Sequence, residues 1–130
     1  MLSITALYAG LLGLIFIVLS YRVVGIRKSE SIGIGDGGSS ALQLACRVHG
    51  NFSEYVPIAV ILLAALELNN WSALYIHALG ASLVISRVLH AVGYSKTSGA
   101  SFGRFVGVLL TWIVITALSG LNIYSSVIAL

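Results

Sequence analysis

Three polar residues on one stretch of the chain could do chemistry together: Arg47, Asn51 and Glu54. In an α-helix, which turns about 100° per residue, their spacing places them on one face within roughly 60° of each other. Tyr55 lies at the edge of that face, whereas His49 points about 160° away from Arg47. A cation, an amide and an anion in a row suit a zwitterionic ligand that carries a carboxylate and an ammonium group. We call Arg47, Asn51 and Glu54 the polar stripe.

The polar stripe stands at the head of a strongly apolar segment, where charge is costly. A charged side chain at the centre of a membrane helix costs on the order of 3 kcal/mol on insertion scales. Such groups normally face the bundle interior, pair with one another and mark function. We therefore expect the stripe to be buried and to build a ligand site. The alternative is an ion pair between Arg47 and Glu54, bridged by Asn51, that only holds helices together.

A second set of polar residues follows later in the chain. Arg87, His90 and Tyr94 have the spacing i, i+3, i+7, which again places them on one helical face. Arg104 begins the next apolar segment at the same depth. Taken singly, the arginines could reach lipid headgroups and Tyr94 could lie in an interfacial belt. Together with the polar stripe they predict a polar pocket.

Other chemistries find little support in the sequence. His49, His77 and His90 share no short motif, so we expect no metal site. No acidic residue is placed to orient a histidine, as Ser-His-Asp catalysis requires. The GIGDGG loop lacks the Lys-Ser/Thr that follows the glycines of a phosphate-binding loop. Cys46 is the single cysteine; we interpret it as an apolar filler rather than a reactive thiol.

The elements that must position these residues are membrane helices. The chain of 130 residues is 58% hydrophobic and 8% charged, too apolar for a typical soluble domain. Each of its long apolar segments is near the roughly 20 residues that a helix needs to cross a bilayer. The sequence predicts a single all-α domain over 1–130, a four-helix up-down bundle with helices over about 2–24, 40–68, 71–92 and 102–130.

The placement of the lysines and arginines predicts the topology. In an up-down bundle, all seven lie toward the side of the first and third connections. The positive-inside rule then places these connections in the cytoplasm and both termini outside. Because topology explains the net charge of +3, we expect no nucleic-acid partner. The segment before the second helix offers Asp36, Ser39 or Ser40 as its N-cap. Small residues predict close helix approach at four positions: Gly10, Gly13, Gly103 and Gly107.

The run Arg47-x-x-x-Asn51-x-x-Glu54-Tyr55-x-Pro57 resembles the signature of the MAPEG superfamily, the membrane-associated proteins of eicosanoid and glutathione metabolism. The length, the four spans and the loop charges fit as well, and the chain looks most like the small bacterial members. The resemblance implies a homotrimer in the bacterial inner membrane, with glutathione as cosubstrate between subunits near the cytoplasmic face.

By matched position, the resemblance implies glutathione contacts at Arg47, His49, Asn51, Glu54, Tyr55, His90 and Tyr94, with Arg104 as the residue that stabilises the thiolate. Arg22 or Arg27 could also reach the site. The implied activity is that of a glutathione transferase or peroxidase acting on a lipophilic second substrate from the bilayer. The alternative is a non-catalytic membrane protein that binds a lipid or glutathione. A channel or transporter is disfavoured, since no inverted repeat or broken helix pair is visible.

Overall fold

The computed structural model describes residues 1–96 and 102–129, with the side chains of 94–96 left out. It consists of α1 (Ser3–Ser29), α2 (Ser40–Leu68), α3 (Ala73–Lys96) and α4 (Phe102–Ala129), and within the described ranges there is no strand. All four helices are long and apolar enough to cross a membrane, as predicted. α1 continues to Ser29 rather than ending near Val24, and α3 continues to Lys96 rather than ending near Val92. The third predicted loop lies mostly outside the described residues.

The helices pack as a bundle in which α2 contacts each of the others. α3 and α4 are the most closely packed pair, whereas α1 and α4 lie at opposite corners without contact between their described residues. The core is mainly aliphatic and includes two rings, Tyr8 of α1 and Phe52 of α2. Its aliphatic members include Leu12, Leu63, Leu83 and Leu118. Many large apolar side chains remain on the outer faces. Such faces match lipid, and the protein is an integral membrane protein.

Glycines explain why α3 and α4 approach so closely. A Cβ atom added at Gly107 would lie 2.6 Å from the backbone nitrogen of His90 on α3. One added at Gly93 would meet the backbone of Gly103 and Arg104. The expectation of close approach is therefore confirmed for Gly103 and Gly107, and Gly93 is the partner that the sequence analysis missed.

The same expectation is wrong for two glycines of α1 within the single chain. A Cβ atom added at Gly10 or Gly13 would meet nothing within 4 Å. Both lie where α1 faces outward or borders a groove, so they bring no described helix closer. The glycine that α1 does use is Gly80 of α3, against which the ring of Tyr8 packs directly. Spacing alone cannot distinguish these cases, because a glycine helps packing only where a second helix meets it.

Side chains fix the helix ends at both sides of the bundle. Ser39 is the N-cap of α2, since its hydroxyl accepts from the amide of Leu42 at 3.1 Å. Asp36 braces the preceding loop by accepting from the amide of Gly38 and the side chain of Gln43, both at 2.9 Å. Both hydrogen bonds lower the pKa of Asp36, and the one from the backbone amide of Gly38 has the larger effect. Of the three N-cap candidates, the structure selects Ser39.

Glu67 joins the end of α2 to the start of α1. Its carboxylate oxygens accept from the amides of Ile4 at 2.9 Å and Thr5 at 2.7 Å. These amides belong to the first turn of α1, where backbone N–H groups have no acceptor within their own helix. Leu2, the N-cap residue, makes no side-chain hydrogen bond to them. A carboxylate at a helix N-terminus is also favoured by the helix dipole. Glu67, near the end of α2, therefore caps the N-terminus of α1.

We expect Glu67→Ala to destabilise the first turn of α1 by about 1 kcal/mol, the typical effect of losing an N-cap. Hydrogen exchange of the detergent-solubilised protein should show faster exchange at Ile4 and Thr5, with little change in the core of α2. Asn69→Ala is the matched control, because the Asn69 side chain donates only to Ala65 of its own helix. Equal exchange at Ile4 and Thr5 in wild type and Glu67→Ala would contradict the cap.

Candidate functional site

The two charged residues of the polar stripe lie on the surface of the single chain. Arg47 Nη1 is 3.8 Å from Glu54 Oε1, and their side chains are 63% and 54% exposed. The expectation that the stripe faces the interior of the bundle is therefore wrong for both ends of the stripe within one chain. They lie on the same helix two turns apart, so their ion pair joins no two helices of the described bundle. The stripe presents a cation and an anion outward.

Asn51, between them, points to a different partner. Its Oδ1 accepts from Arg87 Nη2 on α3 at 2.7 Å. The amide therefore does not bridge Arg47 and Glu54, as the alternative of a helix-joining ion pair required. Asn51 is only partly buried, and its Nδ2 donates no hydrogen bond to any described residue. It connects an exposed charged face with a buried group behind it.

Arg87 is the largest fully buried side chain of the described bundle, with 1% of its surface exposed. Besides Asn51 it donates to Thr111 Oγ1 at 3.2 Å and to His90 Nδ1 at 3.1 Å. Its guanidinium carbon lies 5.7 Å from the centre of the Phe52 ring. These three acceptors are neutral, and its Nε is buried without a hydrogen-bond partner among the described atoms. Arg87 thus links α2, α3 and α4 through one cation.

Thr111 of α4 completes this network and was not recognised from the sequence. Its hydroxyl donates to the carbonyl of Gly107 at 2.8 Å and lies 2.9 Å from Ser86 Oγ. Both Ser86 and Thr111 are fully buried. Their signal was a hydroxyl within an otherwise apolar run, which is weak because serine and threonine can also bond their own helix. The sequence singled out Arg87 as a polar residue in an apolar segment. That its side chain is buried follows only from the packing of the helices.

His49 and Tyr55 flank the stripe in different surroundings. His49 turns away from it toward α1, where Nε2 lies 3.0 Å from Ser20 Oγ and the ring lies 4.7 Å from that of Phe16. This agrees with the helical angle of about 160° from Arg47. Tyr55 is half-buried on α2. Tyr55 directly follows Glu54 on α2, whereas His49 is turned away from the stripe.

The residues of α3 and α4 meet at the closest helix contact. His90 is 1% exposed, and Arg104 lies close enough to interact with it electrostatically. Arg104 is half-buried, with its backbone against Gly93. The side chain of Tyr94 lies outside the described residues. The predicted convergence of α3 and the start of α4 is thus visible for His90 and Arg104.

A cleft of about 440 Å³ adjoins the stripe at the α1–α2 connection. Its lining includes Arg47, Cys46 and Arg27. The guanidinium of Arg27 is held by the loop, because Nη1 donates to the carbonyl of Gly35 at 2.9 Å. Cys46 is a half-buried free thiol. The cleft places two arginines at one end of the stripe, beside the carboxylate of Asp36.

A metal role has no structural support in the described part of the chain. Among residues 1–96 and 102–129, no group of three or more His, Cys, Asp or Glu could hold an ion. The nearby groups are cations, amides and the carboxylates of Glu54 and Asp36. Their chemistry is recognition of a charged organic ligand and stabilisation of negative charge.

Comparisons with known proteins agree with this architecture. The sequence model of the MAPEG family matches residues 5–124. The chain is 40% identical over 91 residues to the inner membrane protein YecN of Escherichia coli (strain K12), covering 70% of each chain. The same identity and coverage hold for inner membrane protein YecN of an Escherichia coli O6:H1 strain. The family match spans all four helices and the polar stripe, so this integral membrane protein belongs to the MAPEG family.

Proposed function

We propose that the protein is a membrane enzyme that binds glutathione and attaches it to hydrophobic electrophiles, or uses it to reduce hydrophobic peroxides. The observation that carries the proposal is the exposed pair of opposite charges, Arg47 and Glu54, on either side of Asn51. Glutathione has two carboxylates, one ammonium and a thiol. The stripe offers a matching carboxylate for the ammonium and a cation for a carboxylate. Membership of a family that includes glutathione transferases supports the choice.

The reaction needs a thiolate held near a cation. Arg104, half-buried beside His90, is our candidate for stabilising the glutathione sulfur. A nearby positive charge lowers the pKa of a thiol and raises the fraction of the nucleophilic thiolate. In conjugation the sulfur forms a bond to an electrophilic carbon, and the leaving group departs with the electron pair of the broken bond. Arg104 balances the negative charge until that bond forms.

The second substrate would come from the bilayer. The outer faces of the helices are apolar over their length, so a lipophilic molecule can reach the bundle without crossing water. Assembly as a homotrimer, which the family resemblance implies, would cover part of this surface. It would also enclose the charges of Arg47 and Glu54, which a single chain leaves exposed. We propose that a neighbouring subunit completes the glutathione site.

A non-catalytic binding protein is the second candidate. Two observations favour it: His90 is fully buried in the single chain, and it is engaged by Arg87 rather than exposed to a ligand. On this proposal the protein would hold glutathione or a lipid without turnover. Conjugation of a model electrophile by purified protein in detergent separates the two, since only the enzyme forms product faster than the uncatalysed reaction.

Glutathione binding tests the stripe directly. We expect Arg47→Ala and Glu54→Gln each to weaken glutathione binding about 10- to 100-fold, the range for losing a charge-assisted hydrogen bond. Isothermal titration of purified protein in detergent measures this. Lys28→Ala is the matched control, because Lys28 is an exposed cation at the same end of the bundle. Wild-type affinity in both stripe variants would exclude the stripe as the glutathione site.

A further inference from the structure

The hydrogen bonds of Arg87 determine the orientation of the Asn51 amide and the tautomer of the His90 ring. Arginine has five N–H donors and no acceptor. An atom that Arg87 contacts at hydrogen-bond distance must therefore be an acceptor. On Asn51 this atom is Oδ1, at 2.7 Å from Nη2. On His90 it is Nδ1, at 3.1 Å from the same Nη2.

The contact with Asn51 removes an ambiguity that the sequence leaves open. A free asparagine can turn either its oxygen or its nitrogen toward a ligand. Here the oxygen is engaged by a side chain that is 1% exposed and held by Thr111 at 3.2 Å. The amide nitrogen, with two N–H donors, is then the end that remains for the face between Arg47 and Glu54. Because Nδ2 has no described acceptor, its donors are available there.

We propose that Arg87 is a positioning residue that turns the amide nitrogen of Asn51 toward the ligand, so that Asn51 selects a carboxylate or carbonyl group and not an ammonium. This deepens the proposed function, on which it rests only for the identity of the ligand. Of the glutathione groups, the ammonium then binds Glu54, because the Oδ1 acceptor of Asn51 is turned toward Arg87. The acceptor groups of the ligand belong to Asn51 and Arg47.

The tautomer of His90 reports the position of the Arg87 guanidinium in the absence of any ligand. Because Nδ1 accepts from Arg87, the ring proton must be on Nε2. If Arg87 is held as described, His90 is a single tautomer. If Arg87 points elsewhere, Nδ1 loses this donor and the Nε2 tautomer is less favoured. The tautomer therefore measures the position of Arg87 independently of glutathione.

Asn51→Asp is the decisive substitution for the ligand side. The new carboxylate is nearly isosteric, still accepts from Arg87 and gives this buried cation a counter-charge, so we expect the thermal midpoint to be kept or raised. Its second oxygen replaces the donors with an anionic acceptor. We expect glutathione to bind at least about tenfold more weakly, because that oxygen repels a carboxylate. Equal or tighter binding by Asn51→Asp would overturn the proposal, since an anionic oxygen that faces a carboxylate of the ligand must weaken binding.

The position of Arg87 is tested by nitrogen-15 NMR of the histidine rings in the full-length protein in detergent, without ligand. We expect wild-type His90 to carry its proton on Nε2 alone, and Arg87→Met to lose this preference. Arg87→Lys keeps a donor and should keep more of it. Ser86→Ala is the control, because the Ser86 hydroxyl lies 2.9 Å from that of Thr111 and donates to the carbonyl of Leu83 rather than to His90.

The wild-type spectrum decides the matter even if Arg87→Met fails to fold. A proton on Nδ1, or on both nitrogens, would show that Nδ1 does not accept from Arg87 and would overturn the proposed role. The single Nε2 tautomer in a protein that binds no glutathione would support the position of Arg87 and reject the proposed function instead. The two failures are therefore distinguishable.

Discussion

Gly107→Ala should strongly destabilise the contact between α3 and α4. The added Cβ would lie 2.6 Å from the backbone nitrogen and 2.7 Å from the Cβ of His90, closer than atoms can approach. Since the obstacle is backbone rather than a flexible side-chain end, the helices must move apart. Overpacking of this kind costs about 1–3 kcal/mol and occasionally more. Thermal unfolding in detergent should show a lower midpoint.

Gly120→Ala on the same helix is the matched control. A Cβ atom there meets nothing within 4 Å, and alanine is the better helix former. We expect its thermal midpoint to equal or slightly exceed that of wild type. Because Gly107 packs against His90, the Gly107 variant should also disturb the contact between His90 and Arg87. Equal midpoints for the two alanine variants would mean that α3 and α4 do not meet as closely as the structure places them.

The second large effect is expected at Arg104, on the proposed reaction. Arg104→Ala should lower the rate of glutathione conjugation on the order of 10²-fold, as removal of one group that stabilises reaction charge does. Without this cation the thiol of bound glutathione ionises at higher pH. The remaining activity should therefore rise as pH increases, above the pH at which wild type is already fully active.

Two controls separate charge from packing at this position. Arg104→Lys keeps the cation and should retain part of the activity. Lys28→Ala removes an exposed cation at the same end of the bundle and should leave the rate unchanged. The backbone of Arg104 makes the contact with Gly93, so truncating its side chain leaves that contact in place. Wild-type turnover by Arg104→Ala, measured with a model electrophile, would remove Arg104 from the mechanism.

The polar residues show where sequence reasoning reaches its limit. The helical period placed Arg47, Asn51 and Glu54 on one side of α2, and the ion pair at 3.8 Å agrees with that spacing. It also set His49 apart from them, as observed. The helical period does not specify whether each face of α2 contacts another helix or the surroundings of the bundle. The costly buried charge turned out to be Arg87, whereas Arg47 and Glu54 are exposed in the single chain.

The sequence by itself determined the four membrane helices, the capping of α2 by one of three candidates and the grouping of the stripe residues. These are local properties: apolar length, capping chemistry and a repeat of 3.6 residues act within one segment. Only the tertiary structure decided that Gly107 meets His90 and that Arg87 engages Asn51. Burial and hydrogen-bond partners belong to pairs of helices, and the sequence of one helix does not specify which residue of another will face it.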